Sequence, residues 1–154
     1  MFQYPKSRKT WLVVLIIALA IVGLVDSLYL TYIHYQQGGS AVCNAASGAC
    51  NVVTTSKYSV VAGIPLALLG VLFYLSVLAL VYLYGKNRKP KTLLIFSGWT
   101  ALGFAISTYL TYLQAFVIHA YCPLCLTSAA SSILIFLSVL LLAREGNNGT
   151  RAGV

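Results

Sequence analysis

Four long apolar stretches, separated by short polar ones, set the pattern of the chain. They run from about Trp11 to Ile33, Ile64 to Tyr84, Thr92 to Val117 and Pro123 to Ala143. A helix needs about 20 mostly apolar residues to cross the hydrocarbon core of a bilayer, and each stretch supplies them. Strands of a membrane barrel would alternate along roughly ten residues, and these stretches do not. The pattern predicts an all-α integral membrane protein built as a four-helix bundle. Residues 1–10 form a polar arm, 11–143 the membrane domain and 144–154 a tail.

The first and third spans share a motif. Gly23, Ser27, Tyr29, Leu30, Thr31 and Tyr32 recur in register as Gly103, Ser107, Tyr109, Leu110, Thr111 and Tyr112. Gly and Ser four residues apart allow close approach of helices in a membrane. Two hairpins packed face to face satisfy this pattern. The tyrosines near the helix ends suit an interfacial aromatic belt. A weaker echo, Leu75-Ser76-Val77-Leu78 against Leu137-Ser138-Val139-Leu140, is ordinary membrane vocabulary.

Composition removes the soluble possibilities. Charged residues make up 8% of the chain and hydrophobic ones 60%, against roughly 25% charged in a soluble domain. The net charge of +8 is membrane orientation rather than a nucleic-acid surface. Lys6, Arg8, Lys9, Lys86, Arg88, Lys89, Lys91, Arg144 and Arg151 fall on one side of the four spans, and only Lys57 on the other. The positive-inside rule then places both termini in the cytoplasm. The segment from His34 to Gly63 and the turn around His119–Tyr121 face outward. The N-terminus also has features of a signal peptide, with Ala18-Leu19-Ala20 after a basic arm. The apolar run nevertheless continues to Ile33, longer than a usual signal core.

Cys43 and Cys50 lie in the outer loop, and Cys122 and Cys125 form a Cys-Pro-Leu-Cys motif where the outer turn meets the fourth span. All four are on the side that permits disulfides. Taken alone, a Cys-x-x-Cys pair has three readings: a redox dithiol, half of a tetrahedral zinc site, or a structural disulfide. Two pairs on one face favour redox exchange, and no metal site is expected. The loop pair would meet a soluble thiol partner and exchange with the pair at the helix mouth. That pair borders the lipid, where a membrane quinone would accept two electrons.

The ordered set carries a resemblance. The loop cysteines are followed by Ser56 and Tyr58, then Gly63, Pro65, Gly70 and Tyr74, then Tyr121-Cys122-Pro123-Leu124-Cys125. Together they resemble prokaryotic homologues of vitamin K epoxide reductase over about residues 10–143. The resemblance implies a bundle around a quinone pocket, capped by the outer loop. It implies re-oxidation of a thioredoxin-like (DsbA-like) protein outside a prokaryotic cytoplasmic membrane, with electrons passed to the quinone. By position, Cys43 would meet the partner, Cys50 would exchange with Cys122, and Cys125 would reduce the quinone, with Ser56 supporting the loop. Many bacterial homologues carry a fused thioredoxin-like domain, whereas this chain runs only to Val154, so a separate partner is expected. Leu66 and Ala129 stand where the animal enzymes place an Asn and a Tyr on the quinone carbonyls, which speaks against vitamin K epoxide as substrate. The DsbB-type oxidases have the reverse order of cysteine pairs. Two competing functions remain: a scaffold stapled by disulfides, and a metal carrier using the thiols.

Several further residues have two readings. Asp26 is a carboxylate inside an apolar span, a functional candidate by default, for proton transfer or a packing network. His119 lies three residues before Cys122, placed to stabilise a thiolate or pass protons, or simply to sit at the interface as His34 does. Lys57 is a solvated lysine or a contact for the partner. Pro65 and Pro123 mark helix starts. The quinone is expected beside Cys125 in the outer half of the bundle, with one hydroxyl donor at most from Ser27, Tyr29, Ser107, Tyr109 or Thr127.

Overall fold

A computed structural model describes residues 5–36, 52–53, 56, 59–61, 63–87 and 89–151. Its helices are α1 (Pro5–Gln36), α2 (Leu66–Asn87), α3 (Pro90–Leu113) and α4 (Pro123–Arg151). α1 and α4 contain their expected apolar stretches, α2 starts two residues after Ile64, and the third stretch runs on past α3 into Gln114–Ile118; all four are long and apolar enough to cross a membrane. The helices continue beyond the apolar runs: α1 begins within the basic arm and α4 extends into the tail. Cys43, Cys50 and Lys57 lie outside the described residues.

Each helix buries one stripe at spacings of three and four. In α1 it is Ile16, Ala20, Gly23, Ser27 and Leu30, and in α2 Val71, Tyr74, Val77 and Val81. In α3 it is Phe96, Thr100 and Gly103, and in α4 Ser132, Ile135, Val139 and Leu142. This spacing keeps one face of a helix on its neighbour along several turns. The opposite faces carry exposed Val14, Val25, Leu75, Leu94 and Leu141, the sign of a surface meant for lipid. Tyr32, Tyr109 and Tyr112 are exposed near the helix ends, as an aromatic belt requires.

Around the bundle the order is α2, α1, α4, α3. α1 packs extensively on both α4 and α2, and α3 packs on α4, while α2 and α3 are the least packed of the neighbouring pairs. One bond closes the middle of that seam: Trp99 Nε1 donates to Ser76 Oγ at 2.6 Å, with the indole stacked on Phe73.

The shared glycines do something other than bring backbones together. A Cβ on Gly23 would overlap the ring of Tyr74, and one on Gly103 the ring of Phe73. The two equivalent positions on α1 and α3 are recesses for adjacent aromatic side chains of α2. Close approach of small residues occurs elsewhere: a Cβ on Gly70 would stand 2.8 Å from Ser27 Oγ. The outer segment adds a feature that the helical pattern does not predict. Val60–Val61 pairs antiparallel with Ile64–Pro65, Val60 opposite Pro65 and Val61 opposite Ile64. Gly63, at φ 82°, makes the turn between them.

Candidate functional site

The Cys-x-x-Cys motif sits where the chain returns from α3 into α4. Pro123 is the first residue of α4. Proline has no N–H to leave unsatisfied there, and its φ is already helical. Cys122 therefore occupies the cap position, and its Sγ accepts the Cys125 N–H at 3.4 Å. The sulfur stands where a Ser or Asp oxygen ordinarily caps a helix. Helix N-termini favour negative charge, and the thiolate is the nucleophilic form of cysteine, so the geometry suits exchange chemistry.

The return itself is tight. α3 ends in a π-helical turn, Gln114–Ile118, and His119 closes it in the left-handed conformation at φ 53°. His119 and Ala120 both donate their N–H groups to the Gln114 carbonyl oxygen. The Gln114 side chain then reaches the motif, its Oε1 accepting the Cys122 N–H at 3.1 Å.

The two cysteines face different surroundings. Cys122 is fully buried in a cluster with Leu30 and Ile33, against which Tyr29, Val53, Ala67, Leu124 and Cys125 pack. Val53, from the outer segment, packs against this cluster. Cys125 is half-buried and lines a cavity of about 770 Å³ that Cys122 does not line. All four helices line the cavity, α2 and α3 supplying most of its wall. Along α3 it runs from Trp99 to Gln114, about 22 Å at 1.5 Å per residue. Leu66, Ala67, Leu69, Phe73, Leu102, Ile106 and Ala129 contribute to its walls, and Val53, Ser56, Ser59 and Val60 cover its outer end. Leu72 and Leu102, which also line it, are 58% and 51% exposed, so the cavity opens sideways between α2 and α3. An apolar site of this size with a few polar groups suits a small lipophilic ligand.

The sequence candidates divide. Ser27, Ser107 and Tyr109 line the cavity, whereas Tyr29 and Thr127 do not. Thr127 donates its hydroxyl to the Pro123 carbonyl at 2.9 Å. Ser56 lines the cavity and holds its own segment, donating to the Val53 carbonyl at 2.8 Å. His34 lines the cavity, while His119 is exposed at the turn. Asp26 is buried, and its Oδ2 has no hydrogen-bond partner among the described residues. It lies outside the lining but within electrostatic reach of Tyr74. Leu66 and Ala129, the positions without the Asn and Tyr, both face the cavity.

Sequence reasoning named Tyr74 only within the family motif and missed three other residues. Tyr74 is buried and donates to the Ser128 carbonyl at 2.7 Å, tying α2 to α4. Ser132, 2% exposed, lines the cavity with a hydroxyl that has no partner among the described residues. Trp99 and Gln114 also line it. Polarity inside an apolar span was the available signal for Ser132 and Gln114.

Residues 14–140 match the model of the vitamin K epoxide reductase family. The chain belongs to that family. It is also 35% identical over 125 residues to the thiol-disulfide oxidoreductase LTO1 of Arabidopsis thaliana, covering 75% of this chain and 33% of the plant protein. This vitamin K epoxide reductase family chain thus spans about a third of the length of that relative.

Proposed function

We propose that the chain is a membrane thiol-disulfide oxidoreductase of the prokaryotic cytoplasmic membrane, with its termini in the cytoplasm and its cysteine pairs outside. It oxidises a thioredoxin-like partner and passes two electrons to a membrane quinone. The observation that carries this reading is the division between the motif cysteines. Cys125 lines the lateral apolar cavity, and Cys122 is buried in the cluster that Val53 packs against, the side from which the loop pair would come.

In this reading the partner dithiol reduces a Cys43–Cys50 disulfide and leaves oxidised. The Cys50 thiolate then attacks Cys122 of a Cys122–Cys125 disulfide, and Cys43 resolves the Cys50–Cys122 link, leaving Cys122 and Cys125 reduced. Closing the motif disulfide again releases two electrons and two protons. A bound quinone supplies a two-electron, two-proton sink. The cavity residues fit such a group: apolar walls for the ring and tail, and the Ser27, Ser107, Tyr109 and Ser132 hydroxyls beside it. Asp26, with Tyr74 nearby, serves as a proton store behind the wall.

The test is anaerobic mixing of purified protein with a reduced thioredoxin-like oxidase and a soluble quinone, followed by quinone absorbance. Cys125→Ala is expected to abolish quinone reduction. Cys43→Ala is expected to block oxidation of the protein partner while sparing a small dithiol that reaches Cys122–Cys125 directly. Normal partner oxidation by the Cys43 variant would overturn the loop shuttle. A single fixed disulfide pairing through turnover would favour a stapled scaffold instead.

A further inference from the structure

We infer that Gln114 is a quinone-binding residue, one side-chain amide joining the motif backbone to a carbonyl oxygen of the acceptor. The inference rests on the reading of the cavity as a quinone site.

Gln114 is 4% exposed, inside the outer end of an apolar bundle. Its backbone carbonyl takes the N–H groups of His119 and Ala120, so its position is fixed by the turn. Its side chain is fixed by a second constraint. The Cys122 backbone N–H is a donor only, so the amide atom 3.1 Å away must be the oxygen. The nitrogen then occupies the other limb of the amide. Among the described residues no hydrogen bond uses it, and Gln114 lines the cavity. An amide donor in an apolar site costs free energy unless something accepts from it.

Three of the hydroxyls at the same end do not compete. Thr111 donates to the Ser107 carbonyl at 2.8 Å, Ser56 to Val53 at 2.8 Å and Ser59 to Ser56 at 2.7 Å. Each spends its single proton on backbone. Gln114 keeps two N–H donors where a carbonyl acceptor needs one, next to the residue whose sulfur caps Cys125. An acceptor held there lies at the Cys125 end of the cavity rather than at the Trp99 end. The π-helical turn explains how a residue of α3 faces both ways, because such turns re-aim side chains out of the ordinary helical register.

The experiment uses the full chain in lipid nanodiscs and a tritiated benzoquinone with a decyl tail, whose binding is read by equilibrium partition against empty nanodiscs. Gln114→Leu removes both halves of the amide. Gln114→Glu, measured at pH 8, keeps an acceptor for the Cys122 N–H but lacks the amide donor. Both are expected to raise the dissociation constant roughly tenfold, the size of one lost hydrogen bond. A purely structural Gln114 predicts a normal dissociation constant in Gln114→Glu, and that result would overturn the assignment. Absence of saturable binding to the unsubstituted protein would overturn the quinone reading itself, and the assignment with it.

Discussion

Tyr74 shows how much one side chain decides. Its ring fills the recess at Gly23, and its hydroxyl spans to the Ser128 carbonyl on α4. Tyr74→Phe keeps the ring and is expected to lower stability by about 1 kcal/mol, the worth of one hydrogen bond. Gly23→Leu drives carbon into the ring and is expected to cost more, about 1–3 kcal/mol or above. Thermal unfolding of the two variants in one detergent checks the order, and a milder effect for Gly23→Leu would mean that α1 and α2 shift apart easily. The sequence marked both Gly23 and Gly103 as packing positions, because small residues repeat there in register. It did not disclose their partners. Aromatic residues are abundant throughout the spans, and nothing local separates Phe73 and Tyr74 from the tyrosines of the interfacial belt. Gln114 was hidden for a different reason. Its meaning comes from a bond to a residue eight positions away across a turn, and no periodicity encodes such a bond.

At the level of elements, the helices were legible because apolar length is nearly sufficient in a membrane. The backbone must satisfy its own hydrogen bonds there, so an uninterrupted apolar run has one outcome. The turn between α3 and α4 was legible only as a location. Its shape depends on His119 at φ 53°, a conformation that costs an L-residue about 1–2 kcal/mol and glycine little. His119→Gly is therefore expected to raise the unfolding midpoint slightly and His119→Val to lower it. The same pair of variants separates shape from chemistry. If His119→Gly stabilises the protein yet slows thiol exchange more than tenfold, the imidazole acts on the motif. If exchange is unchanged, the residue serves the turn alone. The short Val60–Val61 hairpin escaped notice because two-residue strands carry no alternation to read, even though Gly63 announces a turn.

For the whole molecule, sidedness has a direct measurement. A cysteine introduced at Gly149 in a cysteine-free background is expected to resist an impermeant thiol reagent in intact cells, and one at Ser40 to react. The reverse pattern would put the redox motif in a reducing compartment and end the proposed role. The nine-to-one distribution of basic residues makes this expectation from sequence alone, since charge asymmetry directs insertion. The ring order of the helices was not available in that way. Four amphipathic stripes allow several arrangements, and the choice of α2 and α3 as the loosest neighbours emerges only from packing.

That loose seam changes what concentration means for this protein. A cavity whose mouth lies between Leu72 and Leu102 samples a film about 30 Å thick, not a volume of water. Encounter there is a two-dimensional search, and its frequency follows the mole fraction of acceptor among lipids. Diluting proteoliposomes with buffer should leave turnover on a fully partitioned, long-tailed quinone unchanged. Fusing them with empty lipid vesicles should slow it in proportion, once the acceptor is below saturation. A cell that thins or expands its membrane would then adjust the rate of thiol oxidation without making or destroying a single molecule of the protein.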